Sequence, residues 1–472
     1  MKKPKKNSNR SISLFTYVFF LLFLGMIGYY VYFLYADSET FASNSHNPRL
    51  QDSSANVIRG SIESSNGKVL ANTETAEDGT ELRDYPYGRV FAHIIGYSTN
   101  GMGGLERTEN DLLLTSHADV KDQVKNELKK EKSPGDTVVT TLDTDLQEAV
   151  YNAMQDKQGA FIAMDPDTGA ILASVSKPDF NPNTISDDWS HIVSDDNDSS
   201  VLVNRAIQGK YAPGSTFKIV TALEYLREGG SLEDNFSCSG SIERDGYTAH
   251  CFNNKAHGNQ SLLKAFGNSC NVAFSTIGLE LDISKYRDTA QDLLLNTDVP
   301  DPFGTASNSS FALMPGTKDS TIMATAFGQG QTLVTPYNMM LIASAIANDG
   351  ELMTPYVVEE IKNVDGVTVK KTSVKSYGRL MTTNEAETLT EMMRYVVTNG
   401  TGKAINLDNC DVYGKTGTAE FNDNGDSHSW FVGFSEKDGK KAAFACIVEG
   451  TSSNKDPKSM PVVHQFLNAY YN

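Results

Sequence analysis

The sequence predicts an α+β fold with one transmembrane helix at its start and a small mixed unit ahead of a larger domain. Three observations predict it. After Ser133 the chain reads as strands, then a long helical stretch, then strands again, the pattern of one sheet assembled from distant segments and packed by helices on both faces. Before Ser133, short apolar runs alternate with turn residues. At the N-terminal end an uncharged apolar run, Ile12 to Leu34, is long enough to cross a bilayer as a helix.

The span comes first. Lys2, Lys3, Lys5, Lys6 and Arg10 precede it and Asp37 and Glu39 follow it, which predicts a cytoplasmic N-terminus. Tyr29, Tyr30, Tyr32 and Tyr35 crowd its outer end, where aromatic rings suit the headgroup level. A cleaved signal peptide is the competing reading, but the run exceeds a signal core and no Ala-x-Ala site follows. The expected organisation is therefore a basic cytoplasmic tail (1–11), a signal anchor (12–35), a Ser/Asn-rich stalk (36–56), the small mixed unit (57–133) and the main domain (134–472). The chain of 472 residues carries a formal charge of -18, although five of its 41 bases lie in that basic tail. So acidic a body repels phosphate backbones and argues against nucleic acid as a partner.

In the small unit, Ser65-Asn66-Gly67 between apolar runs signals a hairpin. Gly101 to Leu114 reads as a glycine loop entering a helix, and Asp119 to Lys132 as a charged connector. In the main domain Val138 to Leu142 is a strand, and Thr144-Asp-Leu-Gln147 has capping-box form for a helix reaching Met154. Gly159 to Asp165 and Ala170 to Ser176 form a hairpin around Pro-Asp-Thr-Gly. Ser215 to Glu228 and Pro336 to Ala347 are helices stopped by glycine-containing turns. Strands return at Val412 to Thr418, Trp430 to Phe434 and Ala442 to Glu449, and Val462 to Tyr471 closes the chain as a helix.

Cys238 and Cys251 flank a polar loop and are a candidate disulfide, with two reduced thiols as the alternative, because spacing cannot supply the Cα separation. Cys270, Cys410 and Cys446 read as small buried residues. No cysteine pair has zinc-site spacing, and no metal or cofactor is expected.

The chemistry starts from Ser-x-x-Lys, which is weak alone: it occurs at Ser65, Ser174, Ser215, Ser261 and Ser452. A lysine can take a serine proton only if both side chains share a face, as i and i+3 do on a helix. Ser174 sits in a strand, where i and i+3 face opposite ways. Ser65 is in a turn and Ser452 in a polar loop. Ser215 opens a helix after Pro213-Gly214, where free N–H groups and positive potential surround the hydroxyl and disfavour the ammonium form of Lys218. Ser261 also opens a helix, but its neighbours read as plain core. Downstream of Ser215 lie Ser269-Cys270-Asn271, on a loop between apolar segments, and Lys415-Thr416-Gly417, on a strand whose glycine leaves room for a substrate backbone.

Three such elements in this order resemble the penicillin-recognising serine enzymes. Phe327-Gly-Gln-Gly…Thr335-Pro336 and Trp430-Phe-Val-Gly-Phe434 extend the likeness. Arg59-Gly60-Ser-Ile…Asn66-Gly67, Tyr85-Pro-Tyr-Gly, His93-Ile-Ile-Gly-Tyr97 and Gly104-Leu-Glu106 resemble class B penicillin-binding proteins in their short form. Ser64-Ser65, where an acidic-basic pair is usual, and Glu420, where Gln is frequent, depart from the pattern.

The resemblance implies an antiparallel sheet packed by helices and a pedestal or dimerisation-like unit before it. It also implies a peptidoglycan D,D-transpeptidase that cross-links stem peptides through an acyl-enzyme and is inhibited by β-lactams. Ser215, Lys218, Ser269, Asn271 and Lys415 would be catalytic, and Thr416, Gly417 and Thr418 would bind substrate. The implied partners are peptidoglycan stem peptides, β-lactam antibiotics and a polytopic membrane glycosyltransferase of the shape-elongation-division-sporulation type. A D,D-carboxypeptidase, a β-lactamase of the same fold and a non-catalytic penicillin-binding scaffold or sensor stay open as alternatives. A Ser-His reading of His250, His257 or His428 lacks the nucleophile-elbow context. Asp423 and Asp426 lie in a polar loop without the EF-hand pattern.

Overall fold

The computed structural model describes residues 9–36, 54–194, 200–420, 426–451 and 458–472. The stalk between 37 and 53, Ser452 and Asp423 lie outside them. Helix α1 (Asn9–Ala36) contains Ile12–Phe33, the one helix among the described residues long and apolar enough to cross a membrane, with a mean hydropathy of 2.0. Its apolar side chains face outward and nothing in the chain covers them, as suits a helix whose partner is lipid.

The small unit is built on strands β1 (Ile62–Glu63), β2 (Val69–Thr75), β3 (Glu81–Asp84) and β4 (Thr137–Thr140). A hairpin from far along the chain, Val358–Lys362 and Thr368–Lys371, pairs onto β4 and completes a six-stranded sheet. Asn66 and Gly67 make the β1–β2 turn, as their chemistry predicts; Gly67 has φ +74°. Ser64, one of the departures from the family pattern, braces that turn: its hydroxyl contacts Asn66 Oδ1 at 2.6 Å and accepts from Lys68 N. The charged connector contains a helix, Val120–Lys129, capped by Asp119.

Beneath this sheet lies a buried charge triad. Glu106 accepts from Arg59 Nε at 2.6 Å and Arg83 Nε at 2.7 Å, with its own carboxylate fully buried. Burial alone would raise the Glu106 pKa, but the guanidiniums of Arg83 and Arg59 and their hydrogen bonds hold it below the usual glutamate value. Arg83 also donates to Gly60 O, and a Cβ at Gly60 would fall 1.9 Å from Asp136 O. The Arg59-Gly60 and Gly104-Leu-Glu106 motifs, distant in sequence, thus serve one contact.

The main domain follows. Helix α2 (Thr144–Met154) leads into β5 (Gly159–Met164) and β6 (Ile171–Lys177). Its N-cap is Asp143, one residue before the capping box expected at Thr144. Gln147 therefore does not reach back to the cap; it donates to Val90 O and Ser174 O and accepts from Ser174 N. After α3 (Lys218–Arg227), α4 (Asn271–Glu280), α5 (Pro336–Ala347) and α6 (Thr383–Thr398) come β7 (Asp411–Glu420), β8 (Ser427–Lys437), β9 (Lys440–Thr451) and α7 (Ser459–Tyr471). The sheet runs β7-β8-β9-β5-β6 and every neighbouring pair is antiparallel.

Both faces of this sheet are buried, so its strands read as near-continuous apolar runs. In β5, Ala160, Ile162 and Met164 join the core with α5, while Phe161 and Ala163 join the core with α2 and α7. In β9, Ala443, Ala445 and Ile447 face the first core and Phe444, Cys446 and Val448 the second. Helix α5 is buried on every side, as its largely apolar sequence predicts, and its two polar residues, Asn338 and Ser344, are buried with it. Thr335 caps it, accepting from Asn338 N, and Pro336 occupies its first turn, where no donor is lost.

Replacing Glu106 by Gln leaves two buried guanidiniums facing a neutral amide, and urea unfolding should show a loss of about 3–5 kcal/mol. Because the folded Glu106 pKa is lowered, its contribution is complete above the unfolded value of about 4.3. It declines as pH falls through the folded value, so the urea midpoint of the variant should fall less on acidification than that of the parent.

Candidate active site

Four chain segments meet at Ser215. The nucleophile turn, Gly214–Phe217, is a single 3₁₀ turn, and Lys218 is the first residue of α3. The helix predicted from Ser215 therefore starts three residues later, with Ser215 in its tighter first turn. Two glycines hold that turn. Gly214 has φ +53°, and a Cβ there would meet Thr418 O at 2.4 Å. Gly328, with φ +89°, packs so closely that a Cβ would fall 1.7 Å from Gly214 O, and its own carbonyl accepts from Gly214 N at 2.9 Å. Trp430 Nε1 donates to Ala212 O and Thr216 Oγ1 donates to Pro213 O. Phe217, Val220 and Leu223 fill the core behind.

Lys218 is fully buried, and its Nζ lies 3.0 Å from Ser215 Oγ, 2.8 Å from Ser269 O and 2.7 Å from Asn271 Oδ1. Burial pulls its pKa down to about 7, against a weaker opposing pull from the thiols of Cys270 and Cys251. The partners then decide the geometry. Ser269 O and Asn271 Oδ1 can only accept, so they take the two N–H bonds of a neutral amine. The lone pair that remains is available to the Ser215 hydroxyl, which makes Lys218 a general base. Asn271 is oriented in turn, since its Nδ2 donates to His250 O at 2.8 Å.

Lys415 is also fully buried. From β7 its Nζ donates to Ser269 Oγ at 3.0 Å and Thr416 O at 3.1 Å. Burial, then the charge of Lys218, pushes its pKa well below the usual lysine value. Ser269 Oγ therefore bridges two lysines, at 3.2 Å from Lys218 and 3.0 Å from Lys415. The backbone of Ser269 sits in the left-handed region, φ +54°, to allow this. Thr416 Oγ1 contacts Thr401 Oγ1 at 2.6 Å, and Thr418 is exposed on the same strand. Gly417 is needed beside them: a Cβ would stand 2.9 Å from both Thr216 and Trp430.

All eight residues expected at the catalytic and substrate positions thus converge. The rival serines have other work. Ser261 caps the helix Leu262–Gly267 by accepting from Lys264 N, and Ser65 donates to Leu142 O. Sequence reasoning did not single out Thr401, between Gly400 and Gly402, because its role depends on β7 lying alongside. The individual role of Gly328 was also missed, although the quoted Gly-Gln-Gly segment contains it.

The cysteines require corrections. Cys238 and Cys251 are not bonded: their Sγ atoms lie 3.6 Å apart, and Cys251 Sγ is equally 3.6 Å from Cys270 Sγ. Cys270 is buried, as expected, but is not merely packing. With His257, whose Nδ1 is 3.4 Å from Cys238 Sγ, the three thiols place four donor atoms within 4.8 Å of one another. Pairwise spacing could not reveal a cluster drawn from four separate segments. The Cys251 thiol is drawn below the usual cysteine value, chiefly because Cys270 hydrogen-bonds to it, and Cys270 is pushed up in turn.

Comparison with known proteins gives the same picture. The family description "Penicillin binding protein transpeptidase domain" matches residues 159–468, and "Penicillin binding protein A dimerisation domain" matches residues 59–138. The peptidoglycan D,D-transpeptidase PbpA of Mycolicibacterium smegmatis is 30% identical over 419 residues, covering 83% of this chain and 84% of that one. Among solved structures, the imipenem acyl-enzyme complex of penicillin-binding protein A from M. tuberculosis superposes with a TM-score of 0.80 at 27% identity, covering 89% and 99% of the two chains. A D,D-transpeptidase domain from Eggerthella lenta gives 0.78 at 30% identity, covering 87% and 97%.

Gly328→Ala should displace the Ser215 turn, since the added Cβ would fall 1.7 Å from Gly214 O. Since displacement of a reacting group by about 1 Å can cost about 100-fold, acylation of Ser215 by a reactive probe should slow by that order. The melting temperature should fall as well, because the added Cβ strains a positive-φ residue against backbone, so the rate is compared at a temperature where melting measurements show the variant folded.

Proposed function

The chain belongs to the penicillin-binding protein transpeptidase family, and from that premise we propose that it is a peptidoglycan D,D-transpeptidase acylated at Ser215. The single observation that carries the assignment is Lys218 Nζ, buried and held by two obligate acceptors 3.0 Å from the Ser215 hydroxyl.

Ser215 Oγ attacks the penultimate D-alanyl carbonyl of a stem peptide while neutral Lys218 takes its proton. The N–H groups of Ser215 and Thr418 form the proposed oxyanion hole, each such donor being worth roughly 3 kcal/mol in hydrolases; the reading is supported by the close approach of the Thr418 carbonyl to Gly214, the residue before Ser215. The Ser269 hydroxyl, in reach of both lysines, passes a proton to the departing D-alanine. The terminal carboxylate lies against Thr416 and Thr418, and its charge favours the protonated form of Lys415 behind them. An amine of a neighbouring stem peptide then attacks the ester and closes the cross-link. β-Lactams acylate the same serine.

The family carries a membrane anchor into the reading of α1, and the chain is a membrane protein. The basic residues before the span and the acidic ones after it support a cytoplasmic N-terminus and an extracytoplasmic catalytic domain. The small unit at 57–133 stands between anchor and main domain as a pedestal. Anchor and pedestal are the proposed docking surfaces for a polytopic glycosyltransferase that supplies glycan strands.

Labelled penicillin tests the nucleophile: Ser215→Ala should abolish labelling in a protein that melts like the parent, and persistent labelling would overturn the assignment. Penicillin acylation of the parent should also rise with pH, levelling above about 7 as Lys218 loses its proton. A profile that is flat between pH 5 and 9, or that falls, contradicts the base assigned here.

A further inference from the structure

We propose that Glu420 is a specificity residue of the donor groove, selecting a stem peptide with a cationic side chain on the residue before the penultimate D-alanine, an assignment that rests on the function proposed above. Glu420 is the last residue of β7, and alternation along the strand puts it on the same side as Thr416 and Thr418. The other side of the strand is occupied. Lys415 is buried against Ser269 Oγ, and a Cβ on Gly417 would meet Thr216, Trp430 and Pro213 O. β7 is also the edge strand of its sheet. Its outer rim meets no strand among the described residues and is open to an extended peptide.

The order of groups along β7 decides which part of the donor meets Glu420. The terminal carboxylate lies against Thr416 and Thr418 and the scissile carbonyl beside Ser215, so the rest of the peptide continues past Thr418. Two steps of strand rise, about 3.3 Å each, carry Glu420 beyond Thr418. That span reaches from the penultimate residue onto the side chain of the one before it.

The opposite wall is the hairpin of Ser241–Arg244 and Tyr247–His250, whose His250 O holds Asn271. Tyr247, beside the hairpin turn, is close enough that the Glu420 charge adds to burial in raising its phenol pKa. A carboxylate and an aromatic ring therefore share this part of the groove, a pairing that suits an ammonium group. Arg244, opposite Tyr247 in the hairpin register, donates to Glu243 O. Among the described residues no basic side chain forms an ion pair with Glu420, so its charge is available to a ligand. Glu420 is exposed, and the contact shows as selectivity rather than as tight binding. Two unit charges about 7 Å apart in water change a rate about threefold, so exchanging a cation for an anion should cost about tenfold.

Ampicillin, penicillin G and carbenicillin supply the probe, because they differ only in the group on the side-chain α-carbon: an ammonium, a hydrogen and a carboxylate. With the lactam carbonyl at Ser215 and the ring carboxylate against Thr416 and Thr418, that carbon takes the place of the donor residue in question. Acylation of the full-length chain in detergent is measured at about pH 6, below the usual α-amino pKa. The ratio of ampicillin to carbenicillin rates within one protein cancels any general change in the site. Glu420→Gln should lower that ratio about tenfold and Glu420→Lys about a hundredfold. In 1 M salt, where the Debye length is about 3 Å, the parent ratio should fall to that of the Gln variant. Ratios equal within twofold in all three proteins, or a parent ratio indifferent to salt, would overturn this role of Glu420 and leave the acylation assignment standing. A parent that none of the three penicillins acylates would overturn the proposed function and this role together.

Discussion

Taking a lysine amine wholly out of water costs more than any single packing contact returns, and the catalytic half of this molecule is arranged around that cost. Lys218 has no exposed surface. Burial weakens its hold on the third proton, and the carbonyl of Ser269 with the amide oxygen of Asn271 takes the two that remain. These acceptors come from a loop some fifty residues downstream, so the nucleophile turn, the loop and α4 must arrive together. The same desolvation, applied to Lys415, brings a second lysine onto Ser269. Two buried amines around one hydroxyl form a proton path whose charge state a substrate carboxylate can tip.

Backbone proximity is the second constraint. Gly214, Gly328 and Gly417 stand where the nucleophile turn, the segment before α5 and strand β7 touch with no space for a side chain. Behind them the sheet offers a rigid platform. Alanines in β5 and β9 face the first core, where the fully buried α5 also packs. Trp430 on β8 reaches the Ala212 carbonyl, so the sheet locates the turn directly rather than through a mobile loop. Positioning to a fraction of an ångström is what a preorganised acylation site requires.

The small unit obeys a different logic. Its sheet takes strands from residues 62 to 140 and borrows a hairpin from residues 358 to 371. Its centre is the buried pair of guanidiniums on Glu106. Removing one partner of such a cluster leaves the others buried without a counter-charge, so the three residues hold their places only together.

Some of this was legible from residues alone. Periodicity and turn chemistry marked β5, β6, α5, β7, β8 and β9, because a core strand or core helix writes its burial into the local pattern of apolar residues. The three motifs in order, with helix placement, singled out Ser215 from five equivalent serines. Local pattern misplaced the start of the nucleophile helix, since a 3₁₀ turn and an α-helix share the same residues until glycine contacts choose between them. It also assigned the α2 cap one residue late, because Gln147 has better partners across the fold than at its own helix end. Which sulfur meets which, why Thr401 faces Thr416, and how two lysines share one hydroxyl depend on segments far apart in sequence. The sequence by itself determined which groups are present and which local elements carry them. Only the tertiary structure decided their distances, and with them the loss of solvent that turns Lys218 from a cation into a base.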